Sequence, residues 1–428
     1  MDKNITNSLP KTAIVIFHNG AFGGASKRDT NLFMLMNKMY PGCFYLIVNT
    51  HLYSQLKEIY DDLPWDRISI IETPFDVAQD YREHHKGMPR YYHDVIEDPM
   101  EIDKRHSFVR KFYWFHKNKK RQYKIFKQIE KIRSQNNIKV FYGVSSGVIP
   151  LTFYLREKPR RAAVIMSDVD SWFTDVHTDM NKLWYRKYYS YNYALENCNI
   201  IDFLSPYILE GVKKRGVKLK DGSAYISRCS FIDYSKCSVG DKSKFEVAFC
   251  SRMEPDKNPM LYLEAAKEIL KKYPDVKFHI IGEGTLVREI KEFIDSNNLA
   301  ESINFQFHKN PPDIFKNTSV FVSIQNHTNY PSQSVLEAMA CENATIASNR
   351  GDTGLFINNS NGILIDLNMK ELVSAIELLI NNPSLAKKMG VSGREMAMQN
   401  HTIENFSVYL LELIKEAYNN ILNNNKDK

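Results

Sequence analysis

No apolar run in these 428 residues approaches the roughly 18 that a membrane span requires. The opening Met1-Asp-Lys-Asn-Ile-Thr-Asn7 has no secretory apolar core, so the expectation is a soluble, cytoplasmic protein. Cysteine is sparse and scattered. Cys43, Cys198, Cys229, Cys237, Cys250 and Cys341 form no Cys-x-x-Cys pair and have no His at zinc spacing. That argues against a zinc finger and predicts reduced, structural thiols. Repeats and low-complexity tracts are missing, apart from the polar end Asn423-Asn-Asn-Lys-Asp-Lys428. Excess charge is missing from most of the chain too. The net charge is +7, yet Lys104 to Arg133 holds twelve Lys/Arg against the single acid Glu130, so this segment is +11 and the remainder −4.

What is present is ample core material, 43% hydrophobic and 12% aromatic, over a length that makes two domains of about 200 residues each. The apolar run Thr12 to Phe17 reads as a strand. It breaks at His18-Asn-Gly20-Ala-Phe-Gly23-Gly24, and a helix from Lys27 to Met39 and a strand Cys43 to Val48 follow. This β-loop-α-β order implies parallel pairing. Further strands are expected at 68–72, 139–143, 162–167 and 200–204. A second alternation starts at Phe245-Glu-Val-Ala-Phe-Cys250. It runs through helix 259–272, strand 276–281, helix 286–296, strands 303–307 and 319–324, helix 332–341 and strand 344–348. The fold class is therefore α/β, with two doubly wound Rossmann-like domains facing a central cleft. The expected boundaries are 1–235, 236–402, and a helix and tail at 403–428 that could return to the first domain.

The most informative stretch is Asn329-Tyr-Pro-Ser-Gln-Ser-Val-Leu-Glu-Ala-Met-Ala340, a polar turn opening into a strong helix with one carboxylate, Glu337. Ser332 and Ser334 can cap free amides there, and the positive end of a helix dipole attracts phosphate. Ser251-Arg252-Met-Glu-Pro-Asp-Lys257 follows a strand and sets two cations five residues apart, able to clamp a diphosphate. Alone, an Arg and a Lys on a loop are more often solvated charges. Ile281-Gly282-Glu283-Gly284 allows close backbone approach to a ligand, or is simply a tight turn. Arg350-Gly-Asp-Thr-Gly354 is a similar loop.

The order of these pieces at strand ends resembles the nucleotide-sugar-binding half of the retaining glycosyltransferases of family 4, which have the two-domain GT-B fold. Ser251-Arg252-Met253 with Lys257-Asn258 is similar to the family's Gly-Arg-Leu then Lys-Gly, Gly282-Glu283-Gly284 to its Gly-x-Gly, and Leu336 to Ala340 to its Leu-Glu-Ala-Met-Ala. The likeness is specific over roughly 245–400. It implies that Glu337 holds the ribose hydroxyls and that Arg252 and Lys257 neutralise the donor diphosphate. Amides near Ser332, Gln333 and Ser334 would then face the sugar and phosphates. Asn329 stands where the family has a second Glu, and Tyr330-Pro331-Ser332 replace the glycines between the two carboxylates. In the first half, Gly23-Gly24 corresponds to the family's glycine loop, and no Gly-Lys-Ser/Thr completes a Walker loop. Ser167 or Asp168 occupies the place of a His that faces the reacting sugar. Ser167-Asp168-Val-Asp170 also spells Asp-x-Asp, a metal-binding signature of another glycosyltransferase fold, although the two-Rossmann layout favours no obligatory metal.

Phe108, Phe112 and Phe115, then Ile125, Ile129 and Ile132, recur at helical spacing within the basic segment. Such a helix lies on anionic membrane surfaces, with roughly 1 kcal/mol per nearby Lys or Arg. A core-packed helix with a solvated basic face is the equal alternative, and no nucleic-acid-binding fold is recognisable. The resemblance thus implies an enzyme that moves a sugar with retention from a nucleoside diphosphate donor to a carbohydrate or lipid-linked acceptor in surface polysaccharide or glycan assembly. The location is cytoplasmic, with the inner membrane face as an option. The alternative is a non-catalytic GT-B accessory or scaffold protein that binds nucleotide or a partner without turnover.

Overall fold

The computed structural model describes residues 9–18, 22, 24–73, 108–168, 191–214, 216–227, 229–330 and 332–426. They gather into two compact units, 1–228 with 407–428, and 229–406.

The first unit is built on seven strands: β1 (Thr12–Ile16), β2 (Phe44–Asn49), β3 (Ile68–Ile71), β4 (Val140–Val144), β5 (Ala163–Asp168), β6 (Ile200–Phe203) and β7 (Ala224–Ile226). They form one sheet in the order β3-β2-β1-β4-β5-β6-β7, parallel throughout. The central strands read as near-continuous apolar runs because helices cover both faces. Around the sheet lie α1 (Gly24–Met39), α2 (Thr50–Ile59), α3 (Phe108–Asn136), α4 (Tyr191–Asn197) and α5 (Pro206–Lys214). On one face Ala13, Val15, Phe141, Val164, Met166 and Ile201 pack with Ile125, Phe126 and Ile129 of α3. The other face holds a buried polar cluster. Tyr142 donates to Asp202 Oδ2 at 2.7 Å and Arg28 Nη1 donates to Asp29 Oδ1 at 2.8 Å. Burial pushes the Asp29 carboxyl up to about 6 although the Arg28 charge opposes it.

The second unit has β8 (Glu246–Cys250), β9 (Lys277–Ile281), β10 (Ile303–Gln306), β11 (Val320–Ser323), β12 (Ala344–Ser348) and β13 (Gly362–Ile365). Their order is β10-β9-β8-β11-β12-β13, again all parallel. Its helices are α6 (Pro259–Lys272), α7 (Val287–Ser296), the short α8 (Pro312–Phe315), α9 (Gln333–Ala340), α10 (Met369–Asn381) and α11 (Pro383–Asn400). The last helix, α12 (Ile403–Lys426), contributes residues 407 onward to the first unit, where Tyr409 donates to Asp202 Oδ1 at 2.7 Å.

Both units are therefore Rossmann-like, and helix and strand limits follow the apolar periods closely. The departures have local causes. Helix α1 begins at Gly24, three residues earlier than its apolar pattern suggests, because a first turn needs no apolar face. Strand β7 is three residues long and exposed or half-buried, and β13 is short and opens on Gly362, so neither carries a strong β pattern. Burial changes along helix α3. Ile125 and Ile129 are core residues, whereas Val109, Phe112, Tyr113 and Tyr123 are 44–76% exposed.

Candidate functional site

In the second sheet the chain leaves β8 toward β9 on one side, while β11 starts the other side. Open α/β sheets bind ligands at this reversal, outside the carboxyl ends of the strands. The loops after β8 and β11 meet there. Lys257 Nζ donates to Gln325 Oε1 at 2.5 Å and lies 3.3 Å from Asp256 Oδ2. The Asn326 amide donates to the Asp256 carbonyl at 3.0 Å. Arg252, on the same loop, is exposed. Of the two cations expected to clamp a diphosphate, one is held by neighbours and the other is open to solvent.

Gly282 and Gly284 serve this loop directly. The turn after β9 hydrogen-bonds to it, with Met253 N–H donating to the Glu283 carbonyl at 2.8 Å and Leu286 N–H to the Met253 carbonyl at 2.9 Å. A Cβ on Gly282, whose φ is +147°, would lie 1.9 Å from the Ser251 carbonyl oxygen, and one on Gly284 would lie 2.5 Å from that of Met253. The close approach these glycines allow is to the backbone that carries Arg252.

Helix α9 starts as its residues dictate. Ser332 is the N-cap, and its Oγ accepts from the Val335 amide at 3.4 Å and lies 3.1 Å from Ser334 Oγ. Behind the cap, Val335, Leu336, Ala338, Met339 and Ala340 are buried in one cluster. Gln333 and Glu337, four residues apart on one face, are each 6% exposed. The Gln333 amide donates to the Phe231 carbonyl at 3.0 Å, and its Oε1 has no hydrogen-bond partner among the described residues. A buried carboxylate and a buried acceptor one turn inside a Ser-capped helix start suit a polyhydroxyl, anionic ligand.

Asn329 is 1% exposed, and both of its side-chain N–H donors are engaged, with the Ser323 carbonyl and Ser348 Oγ at 3.1 Å each. Its Oδ1 accepts from Ser323 Oγ at 2.6 Å, and its own amide donates to Thr353 Oγ1 at 2.9 Å. Asn329 thus ties the ends of β11 and β12 to the Arg350–Gly354 loop. Ser348 Oγ donates to the Gln325 carbonyl at 2.8 Å, which links Asn329 to the loop that holds Lys257. Motif reading overlooked Gln325 and Ser348, whose positions at the ends of β11 and β12 were the available signal, whereas Thr353 lies in the Arg350–Gly354 loop it singled out.

A depression of about 370 Å³ lined by Glu342, Val391, Arg394, Glu395, Met398 and Gln399 opens at the opposite end of α9. The capped start is thus marked by its chemistry.

Residues 234–396 match the family model described as "Glycosyl transferases group 1". The chain carries a glycosyl transferases group 1 domain. That domain spans the turns and helix just described. Over 163 residues, 37% of this chain and 33% of the other, the chain is 31% identical to a poly(ribitol-phosphate) alpha-N-acetylglucosaminyltransferase of Staphylococcus aureus. A match at 27% identity to an uncharacterized glycosyltransferase of Methanocaldococcus jannaschii covers 49% of this chain and 57% of that one. The chain thus spans a third to three fifths of the length of these two relatives. The crystal structure of Anabaena HepE in complex with UDP and glucose superposes on 95% of this chain and 99% of that one, with a TM-score of 0.68 at 12% identity. At that identity the likeness establishes the fold, GT-B, with the group 1 domain as its second Rossmann-like unit.

In the first unit, Ser167 is 1% exposed near the carboxyl end of β5, beside Asp202 in the sheet register. Asp168 closes that strand, while Asp170 lies outside the described residues, as do Gly23 and Pro331. Gly24 is the exposed first residue of α1.

Proposed function

We propose that this chain is a retaining glycosyltransferase of the family 4 type, moving a sugar from a nucleoside diphosphate donor to a carbohydrate or lipid-linked acceptor in surface polysaccharide or glycan assembly. The observation that carries the reading is Glu337, buried behind a Ser-capped helix start at the switch point of a group 1 domain. In this reading Glu337 accepts hydrogen bonds from the ribose hydroxyls, and the Gln333 and Ser334 amides of the first α9 turn meet the phosphates beside Ser332, whose own amide donates to the Asn329 carbonyl at 2.7 Å. Arg252 and Lys257 stabilise the charge that grows on the departing diphosphate, with no metal required. Gly282 and Gly284 hold the Arg252 loop, and Asn329 holds the Lys257 loop through Ser348 and Gln325. On the first unit, Gly23 and Gly24 serve the donor phosphate or the acceptor, and Ser167 or Asp168 serves the reacting sugar. The exposed, basic and aromatic N-terminal part of α3 is read as a face for an anionic membrane surface where a lipid-linked acceptor would be presented.

The test is nucleoside diphosphate release from a panel of UDP-, GDP- and ADP-sugars, with and without EDTA, alongside calorimetric titration of the free nucleotides. The expected result is release from at least one donor, unchanged by EDTA, with nucleotide affinity at least about tenfold weaker in Glu337→Ala, the loss of one charge-assisted contact. Binding without release would favour the non-catalytic scaffold. Unchanged affinity in Glu337→Ala would remove the proposed site.

A further inference from the structure

The chain passes between the two units twice, at 228/229 and at 406/407. On the second-unit side these two passages are bound to each other. The Ser230 amide donates to His401 Nδ1 at 3.0 Å, the Cys229 thiol reaches the Thr402 carbonyl at 3.6 Å, and the Phe231 and Phe406 rings pack with centroids 4.8 Å apart. Ser230, Phe231 and Phe406 are fully buried.

A side chain of the candidate site reaches this joint. Gln333, the first residue of α9, donates from Nε2 to the Phe231 carbonyl at 3.0 Å and lies 3.5 Å from Ser230 Oγ. A carbonyl only accepts, so the nitrogen of the Gln333 amide is the atom that faces Phe231. Its Oε1 is buried with no hydrogen-bond partner among the described residues, so the nitrogen side fixes the amide. The backbone of the same residue opens the helix, one turn before Glu337. Gln333 therefore has its main chain in the site and its side chain on the joint.

We infer that Gln333 is a positioning residue that ties the nucleotide site to the joint between 229–232 and 401–406. Its ligand, which rests on the transferase reading, is a nucleoside diphosphate whose phosphates meet the Gln333 and Ser334 amides. An anion held there suppresses fraying of the first α9 turn, and the Gln333 side chain, rooted in that turn, then holds the Phe231 carbonyl for a larger share of the time. Occupancy of the site is thereby transmitted to the stretch through which the chain enters the second unit. The tie works in both directions, since a coupling free energy is reciprocal: loosening the joint weakens ligand binding.

The test is amide hydrogen exchange of residues 229–233 in the full chain, read by mass spectrometry. UDP, GDP and ADP serve as probes, each at saturation by its own titration. A diphosphate that binds should slow this exchange several-fold in wild type and leave it unslowed in Gln333→Met, which keeps the side-chain length and removes the donor. Without ligand, Gln333→Glu should exchange several-fold faster than wild type at about pH 8 and return toward it at about pH 5.5, because only a protonated carboxyl can donate to the Phe231 carbonyl. His401, lowered to about 4 by burial, stays neutral over this range, so its bond with Ser230 is unchanged. A merely space-filling role would not give that pH dependence. Equal slowing in Gln333→Met, or binding in wild type without slowing, would overturn the inference and leave the transferase reading intact. Binding of none of the three probes would remove that reading, and Gln333→Glu exchange with no pH dependence relative to wild type would overturn the tie whether or not a nucleotide binds.

Discussion

At the scale of single residues, the group 1 domain shows polar groups and glycines used first on the protein itself. Gly282 is the sharpest case, because any side chain there begins 1.9 Å from a backbone oxygen that has nowhere to move without shifting the Arg252 loop. Gly282→Ala is expected to lower unfolding stability by about 2 kcal/mol or more, through steric overlap and a backbone angle that disfavours Cβ. Urea denaturation checks it, and a change within about 0.5 kcal/mol, the scatter of surface substitutions, would show that the loop adapts freely. Asn329 teaches the complementary point. Read alone it is a carboxylate lost from a sugar site, yet its amide is taken up by Ser323 and Ser348. A carboxylate has no N–H and could make neither of those two donations.

At the scale of elements, α3 divides along its length. Its carboxyl-terminal half is a core helix, with Ile125 and Ile129 buried and Glu130 accepting from Arg133 at 2.8 Å and from Tyr154 at 2.6 Å. Its amino-terminal half exposes Lys117, Lys119 and Lys120 together with Phe112 and Tyr113. Replacing those three lysines by Gln should weaken binding to vesicles rich in anionic lipid by roughly 3 kcal/mol, about 1 kcal/mol per charge. It should leave the melting temperature nearly unchanged, because exposed charges contribute little to folding. Co-sedimentation at low and high salt reads this out. Equal binding of the variant, or equal affinity for neutral vesicles, would rule out the membrane face.

At the scale of the whole molecule, His401 joins stretches of the second unit that are far apart in sequence. It is 4% exposed, its Nδ1 accepts from the Ser230 amide at 3.0 Å, and burial lowers it to about 4. The unfolded imidazole titrates near 6.5. Between about pH 6.5 and 4 the unfolded chain therefore binds a proton that the folded chain does not. This contribution to stability is complete above that window and is lost as pH falls through it, at most ~3 kcal/mol over the full range. Denaturation midpoints of wild type and His401→Gln, measured from about pH 7 to 4.5, check the sign. Parallel curves for the two proteins would refute it.

The amino-acid sequence by itself determined the central strands of the two Rossmann-like units, several of their helices and the Ser-capped start of α9, whereas β7 and β13 carry no pattern that reads as a strand. These depend on local periodicity, capping and helix propensity, which neighbours along the chain carry. It also pointed to Glu337, because a carboxylate one turn inside such a helix is visible in one dimension. Only the tertiary structure decided that Gly282 and Gly284 face the Ser251–Met253 backbone, that Lys257 is held by Gln325, and that Asn329 binds Ser348 rather than solvent. It likewise joined Tyr409 to Asp202. Each of these pairs is made by strand order and helix packing, which bring together residues 19 to 207 positions apart, and no periodicity encodes such a meeting.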